Sequence, residues 1–257
     1  LVETVYRMNI PASVALLGDL HGRPWQAVVG SLQKHKPEII CIAGDVLYGR
    51  HPTDDQSPLI AQTNVLPFLE ACGALAPTFM SLGNHEWMLD DEDIRQIQST
   101  GVTVLDNGWT DHHGLVIGGL SSAYATEYHS YRDSLGALDG VRYPAKMTRE
   151  SGSALKPDTA WLSEFCAVPG FHVLLCHHPE YYPLIPEGVQ LILSAHAHGG
   201  QWRVFGRGVF APGQGWWPKW TKGVYDNRMI VSAGLANTTR APRIFNPTEV
   251  VYVEAGK

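Results

Sequence analysis

The sequence predicts an α/β protein in which two sheets pack face to face with helices outside. Two observations carry this. Through the first two thirds of the chain, short apolar runs such as Val14–Leu17 and Ile39–Ala43 alternate with longer amphipathic stretches. The final third is instead rich in short strand-like runs punctuated by Gly and Pro. Strand–helix alternation leading into a strand-rich part is the pattern of layered sheets covered by helices. A chain of 257 residues, 44% hydrophobic and 17% charged, is long and apolar enough to bury such a core. No repeat, low-complexity tract or linker-like stretch divides it, so residues 1–257 are expected to form one domain.

Val14–Leu17 and Ile39–Ala43 read as buried strands, with a helix from Trp25 to His35 that ends before Pro37. Ser57 is placed to cap a helix over Pro58 to Ala71, and Thr78–Ser81 is the next strand. Asp90 to Thr100 reads as a helix with an acidic first turn and Gly101 at its stop. Val102–Leu105 and Leu115–Ile117 flank Asp106-Asn107-Gly108 and a polar tip, which predicts a hairpin-like meander. His112 and His113 fall at that tip and are given no role. Asp158 to Phe165 reads as helical; Val173–Cys176, Leu191–Leu193, Val204-Phe205, Met229–Val231 and Val250–Val253 read as strands. The irregular segment 121–156 is expected to be a lid or substrate-binding insert, because loops of that length in a compact domain usually serve a site.

Charge and cysteine usage exclude several classes. The net charge is −6 with no run of Lys or Arg, which argues against a long nucleic-acid partner though not against nucleotides. Cys41, Cys72, Cys166 and Cys176 form no CxxC and are expected to be buried free thiols, in keeping with a cytoplasmic setting. No apolar window is long enough for a membrane span. The chain begins at Leu1 rather than Met, so removal of an N-terminal segment would point instead to a membrane-associated or exported protein, and peripheral membrane contact stays open.

The informative residues stand at the strand ends. Gly18-Asp19-Leu20-His21 comes after the first strand, Gly44-Asp45 after the second, and Gly83-Asn84-His85-Glu86 after the third. His177-His178-Pro179 and Ser194-Ala195-His196-Ala197-His198 end two later strands. In sheet-based α/β folds strand ends gather at one edge, where ligands bind. Each motif alone is commonplace at turns and helix starts, but their joint placement is not. Asp19, His21, Asp45, Asn84, His177, His196 and His198 make an oxygen- and imidazole-rich set without thiolate, suited to Mn2+, Fe or Zn2+ rather than to a structural zinc cage. Seven donors exceed the needs of one tetrahedral ion, which predicts two divalent cations, with Mn2+ favoured.

Asp19-Leu20-His21, Gly44-Asp45, Gly83-Asn84-His85-Glu86, His177 and His196-Ala197-His198, in that order, resemble the signature of the calcineurin-like metallophosphoesterase superfamily. Further stretches, Pro218–Gly223, Val231–Leu235 and Arg243–Val250, resemble its bacterial YkuE/YaeI-type branch. The resemblance implies a four-layer α/β/β/α sandwich of two mixed sheets. It implies that Asp19, His21, Asp45 and His198 hold one metal and that Asp45, Asn84, His177 and His196 hold the other. Asp45 would be the bridge, and His85 would be catalytic, as a proton donor or charge stabiliser beside the metals. Ala195 stands where the family usually has Gly, and His178 is a second candidate beside His177.

The implied activity is hydrolysis of phosphomonoesters or phosphodiesters by a metal-bridging hydroxide. Two cations about 3.5–4 Å apart lower the pKa of a shared water and clamp phosphoryl oxygens. Pyrophosphate hydrolysis on a nucleotide- or lipid-linked substrate is the alternative, and a catalytically silent scaffold is the alternative of another class. Gly215-Trp216-Trp217-Pro218-Lys219-Trp220 reads either as core packing or as an amphipathic rim for a lipid-linked substrate, with Trp217 a candidate contact. Tyr124, Tyr128, Tyr131 and Arg132 in the long insert could cap the site, Arg132 on a substrate phosphate and Tyr131 beside it.

Overall fold

A computed structural model of the chain describes residues 1–48, 57–123, 156–239 and 241–256. In chain order its first strands are β1 (Val2–Met8), β2 (Val14–Leu17), β3 (Ile39–Ala43), β4 (Thr78–Ser81), β5 (Val102–Leu105), β6 (Gly108–His112) and β7 (Leu115–Leu120). Next come β8 (Phe171–Cys176), β9 (Leu191–Ser194), β10 (Arg203–Val204), β11 (Arg207–Gly208), β12 (Phe210–Ala211) and β13 (Gly215–Trp216). The last are β14 (Gly223–Tyr225), β15 (Met229–Val231) and β16 (Glu249–Ala255). The α-helices are α1 (Gln26–His35), α2 (Pro58–Ala61), α3 (Val65–Leu75), α4 (Asp91–Ser99) and α5 (Leu162–Ala167).

Two six-stranded mixed sheets result, in the orders β1-β16-β2-β3-β4-β5 and β14-β15-β9-β8-β7-β6. Strands β2 to β5 pair parallel with one another, as do β7, β8, β9 and β15. The central strands lack polar alternation because both of their faces are covered. In β2, Val14 and Leu16 enter the layer between the sheets with Cys41, Ile117, Val173 and Leu193. Ala15 and Leu17 enter the outer layer with Val28 and Leu32 of α1 and Phe68 of α3. On the far side Leu162 and Phe165 of α5 pack over Val116, Leu174 and Ile192. The order of layers is therefore helix, sheet, sheet, helix, as expected.

Several local expectations are corrected. The single helix over Pro58 to Ala71 is two helices, because polar side chains between them serve other loops. Gln62 exchanges two 2.7 Å hydrogen bonds with the backbone of Tyr48, and Asn64 donates to the Gly22 carbonyl. The helix expected over Asp158 to Phe165 begins only at Leu162. The meander is real only as β6–β7, which pair antiparallel from Gly108↔Gly119 to His112↔Leu115. Its first strand, β5, pairs parallel with β4 in the other sheet. The chain thus crosses between sheets at Asp106-Asn107, held by Ser121, whose hydroxyl donates to Asp106 (2.6 Å) and whose N–H donates to Asn107 Oδ1 (3.1 Å). Strand β1 was not expected; it pairs parallel with β16 along its length.

The acidic start of α4 behaves as read, with Asp90 and Asp93 forming a reciprocal capping box. The four cysteines are free, and only Cys166 is less than buried. Among the described residues no helix is long and apolar enough to cross a membrane. Nearly all of segment 121–156, including Tyr124, Tyr128, Tyr131 and Arg132, lies outside the described residues.

Candidate metal centre

The ends of β2, β3, β4, β8 and β9 converge, and the chain turns sharply after them. Asp19, His21, Asp45, His196 and His198 all adopt positive φ, between 47° and 65°. That region disfavours side-chain-bearing residues by about 1 kcal/mol or more each, and such residues concentrate at functional sites. Glycines supply the clearance. A Cβ on Gly83 would collide with Asp45 Oδ1, one on Gly44 would lie 2.5 Å from the Gly83 nitrogen, and one on Gly234 2.5 Å from Asp19 Oδ2.

All seven donors expected from the sequence come together. Asp45 Oδ2 lies 3.1 Å from His177 Nε2 and 3.8 Å from His21 Nε2, so one carboxylate oxygen faces both groups. On one side Asp19 Oδ1 is 3.8 Å from His21 Nε2 and 3.9 Å from His198 Nε2. On the other, His177 Nε2 is 3.2 Å from both Asn84 Oδ1 and His196 Nδ1. Asp19, His21 and His198 form one set close enough to hold a metal ion, as do Asp19, Asp45 and His177, then His21, Asp45 and His85, and His177, His178 and His196. His85 stands at the margin, with a side chain 28% exposed and Nε2 3.9 Å from Asp45 Oδ2.

The donor set fits a cation. Asp19 Oδ2 and both ring nitrogens of His21 are buried without a hydrogen-bond partner among the described residues, a combination that would destabilise the fold unless an ion satisfied it. Burial pushes His21, His196 and His198 below the usual histidine range, which keeps their rings in the neutral form that binds metals. His177 is opposed by burial but raised to about 10 by the Asp45 carboxylate, so a proton and a cation compete for that pair. The ring is oriented from behind, where Nδ1–H donates to the Ala43 carbonyl at 2.6 Å and turns Nε2 to the site.

Two neighbouring side chains carried no expectation from the sequence. Glu86 is buried, and its carboxylate accepts N–H bonds from Gly83 (2.7 Å), Asp45 (2.8 Å), Val46 (2.8 Å) and Leu47 (3.2 Å). Burial raises its pKa to about 7, but four inward-pointing N–H groups favour the ionised form, and it ties the turn after β4 to the turn after β3. The only signal for it was the last letter of Gly83-Asn84-His85-Glu86. Arg243, held by the carbonyls of Ala233 and Ala236, brings Nη2 to 3.1 Å from His198 Nδ1.

Two positions, Ala195 and His178, depart from the expected pattern. Ala195 does not need positive φ; its buried methyl lies where a Cβ on Gly18 would come within 2.7 Å. His178 contacts Ser122 (2.8 Å) and Glu180 (3.2 Å) and also groups with His177 and His196 closely enough to share a metal ion, while His177 alone of the pair faces Asp45. Trp217 lines a separate cavity whose lining includes none of the seven donors.

The chain is similar to several known proteins. The Bacillus subtilis (strain 168) protein YpbG is 23% identical over 90% of this chain and 76% of its own length. The Caenorhabditis elegans protein F40B5.2 is 27% identical over 94% of this chain, which spans about half (48%) of that relative. Among solved structures, a dimetal phosphatase from Danio rerio superposes over 87% of each chain with 10% identity and a TM-score of 0.46. The family model for calcineurin-like phosphoesterases matches residues 12–200, which contain every donor named above. The chain belongs to the calcineurin-like phosphoesterase family.

Proposed function

We propose that the chain is a dinuclear-metal-dependent phosphohydrolase acting on phosphomonoesters or phosphodiesters, with residues 1–257 working as one domain. The observation that carries the reading is the Asp45 carboxylate, whose Oδ2 lies between His21 and His177 and so between two donor sets. Asp19, His21, Asp45 and His198 hold one cation, and Asp45, Asn84, His177 and His196 hold the other. Two divalent cations held there supply the Lewis acidity that activates water and offsets charge on the phosphoryl oxygens. Mn2+ is the favoured ion, and Fe and Zn2+ suit the same oxygen- and imidazole-rich, thiolate-free set.

His85 reaches the rim of the site while its backbone N–H donates to Asp45 Oδ1 at 2.9 Å. Its ring protonates or stabilises the leaving oxygen, a role worth roughly 10²- to 10⁴-fold in rate. Glu86 fixes the Asp45 turn. A silent scaffold is disfavoured because no donor of either set, nor His85, is missing. We also read Gly199-Gly200-Gln201, Pro218–Gly223, Val231–Leu235 and Arg243–Val250 as the mark of the YkuE/YaeI-type branch, and segment 121–156 as a cap bearing Tyr131 and Arg132.

The test is metal removal. Chelation abolishes hydrolysis of p-nitrophenyl phosphate and bis-p-nitrophenyl phosphate, and Mn2+ restores it with two ions bound per chain. The His85→Ala variant retains both ions but loses rate. Full activity in a chain shown to be free of metal overturns the reading.

A further inference from the structure

We infer that the turns at Phe205, Trp217 and Phe245 form a docking surface for an anionic lipid bilayer, built onto the turn that carries His198. Such docking is independent of the metal chemistry.

Among the described residues, every exposed Trp or Phe lies between Phe205 and Phe245, and Phe205 is 102% exposed. Backbone geometry makes this more than a loose surface. Phe205, Trp217 and Phe245 all have positive φ, at 49°, 57° and 51°. Phe205 and Gly206 form the two-residue turn between paired Val204 and Arg207, both at positive φ, where Asn-Gly is the favoured sequence. A bulky aromatic there is strained and recovers no burial. Folding alone gives no reason for it, whereas insertion into an apolar phase does.

Charge selects the occupant. From Gly199 to Thr248 the sequence has seven Lys or Arg and one acidic residue, Asp226, in a chain of net charge −6. Beside Trp217 a cavity of about 610 Å³ is lined by Arg203, Arg207, Lys219 and Lys222. Lys222 pairs with buried Glu249, but Arg203, Arg207 and Lys219 have no carboxylate partner among the described residues. Aromatic tips among cations without a carboxylate partner among the described residues match the boundary between acyl chains and anionic headgroups. The surface is tied to the site: Arg203 donates to the Gly199 carbonyl (2.8 Å), Val209 N–H to Gly200 (3.1 Å), and Asn246 to His198 (2.7 Å). Docking by these tips brings the His198 turn to the membrane face.

Flotation of the 257-residue chain with vesicles tests this. It floats with equal parts phosphatidylglycerol and phosphatidylcholine at low salt, and not with phosphatidylcholine alone. The F205S/F245S variant, and independently R207E/K219E, binds about tenfold or more weakly, and salt weakens the native chain. Circular dichroism and urea midpoints establish that each variant is folded. Absence of flotation on the anionic vesicles overturns the proposal, as does equal flotation on neutral ones or unchanged binding by the folded variants. So does self-association of the native chain that F205S/F245S abolishes without any vesicle binding, which would make a second copy the occupant.

Discussion

The turns around the metal centre and the turns at the aromatic surface use one backbone device with opposite solvent exposure. Asp19, His21, Asp45, His196 and His198 sit at positive φ and none is more than 8% exposed. Phe205, Trp217 and Phe245 sit at positive φ and are between 69% and 102% exposed. The first region hides charge and imidazole; the second displays aromatic rings. Each inverts the ordinary partition of polar and apolar groups, and each does so in a strained turn. The two are joined at the His198–Gly200 turn by hydrogen bonds from Arg203 and Asn246.

The largest expected effect tests the first region. Asp45→Ala removes the carboxylate oxygen facing both donor sets, so metal analysis should find neither ion bound at stoichiometry, with activity down roughly 10³-fold or more. His196→Ala should leave one ion. Equal metal loss in the two variants would break the distinction between a shared and an unshared donor. Next comes Glu86→Gln, which weakens acceptance from four backbone N–H groups and should lower metal affinity about 10- to 100-fold, read by metal titration. Unchanged affinity would make Glu86 a packing residue only.

A smaller effect of opposite sign is expected from the second region. Phe205→Asn relieves a left-handed aromatic without giving up burial, so urea denaturation should show stabilisation by about 1 kcal/mol. Destabilisation would show that Phe205 supports the fold. The smallest effect is a reference point remote from both regions. Hydrogen bonds from Lys34, then His35 and Ser31, lower the exposed Glu3 carboxyl from 4.5 to about 2. The folded state holds this proton less tightly than the unfolded chain. Its contribution is therefore present above about pH 4.5 and lost as pH falls towards 2. Glu3→Gln should flatten that part of the stability curve, with little change near neutrality.

The donors were legible in the sequence because each comes after an apolar run, mostly one that ends beside glycine or another small residue, and parallel strands deliver such ends to one edge. Glu86 and Arg243 were not, because they work on backbone N–H and carbonyl groups whose positions exist only once the turns are folded. Strand β5 was misassigned for a related reason. Its apolar pattern states that it is buried, not which sheet receives it, and the Ser121 hydrogen bonds that fix the crossover arise sixteen residues after Leu105. The charge separation after Gly199 was present in the sequence but hidden by a net charge taken over the whole chain.

The contact between Gly18 and Ala195 carries a consequence for heredity. Only one of the two positions can bear a methyl, since a Cβ at Gly18 would meet that of Ala195 at 2.7 Å. Gly18→Ala should fail alone and recover when combined with Ala195→Gly, a case of sign epistasis across the two sheets. A lineage can therefore exchange these residues in one order only: glycine must reach position 195 before alanine can settle at position 18.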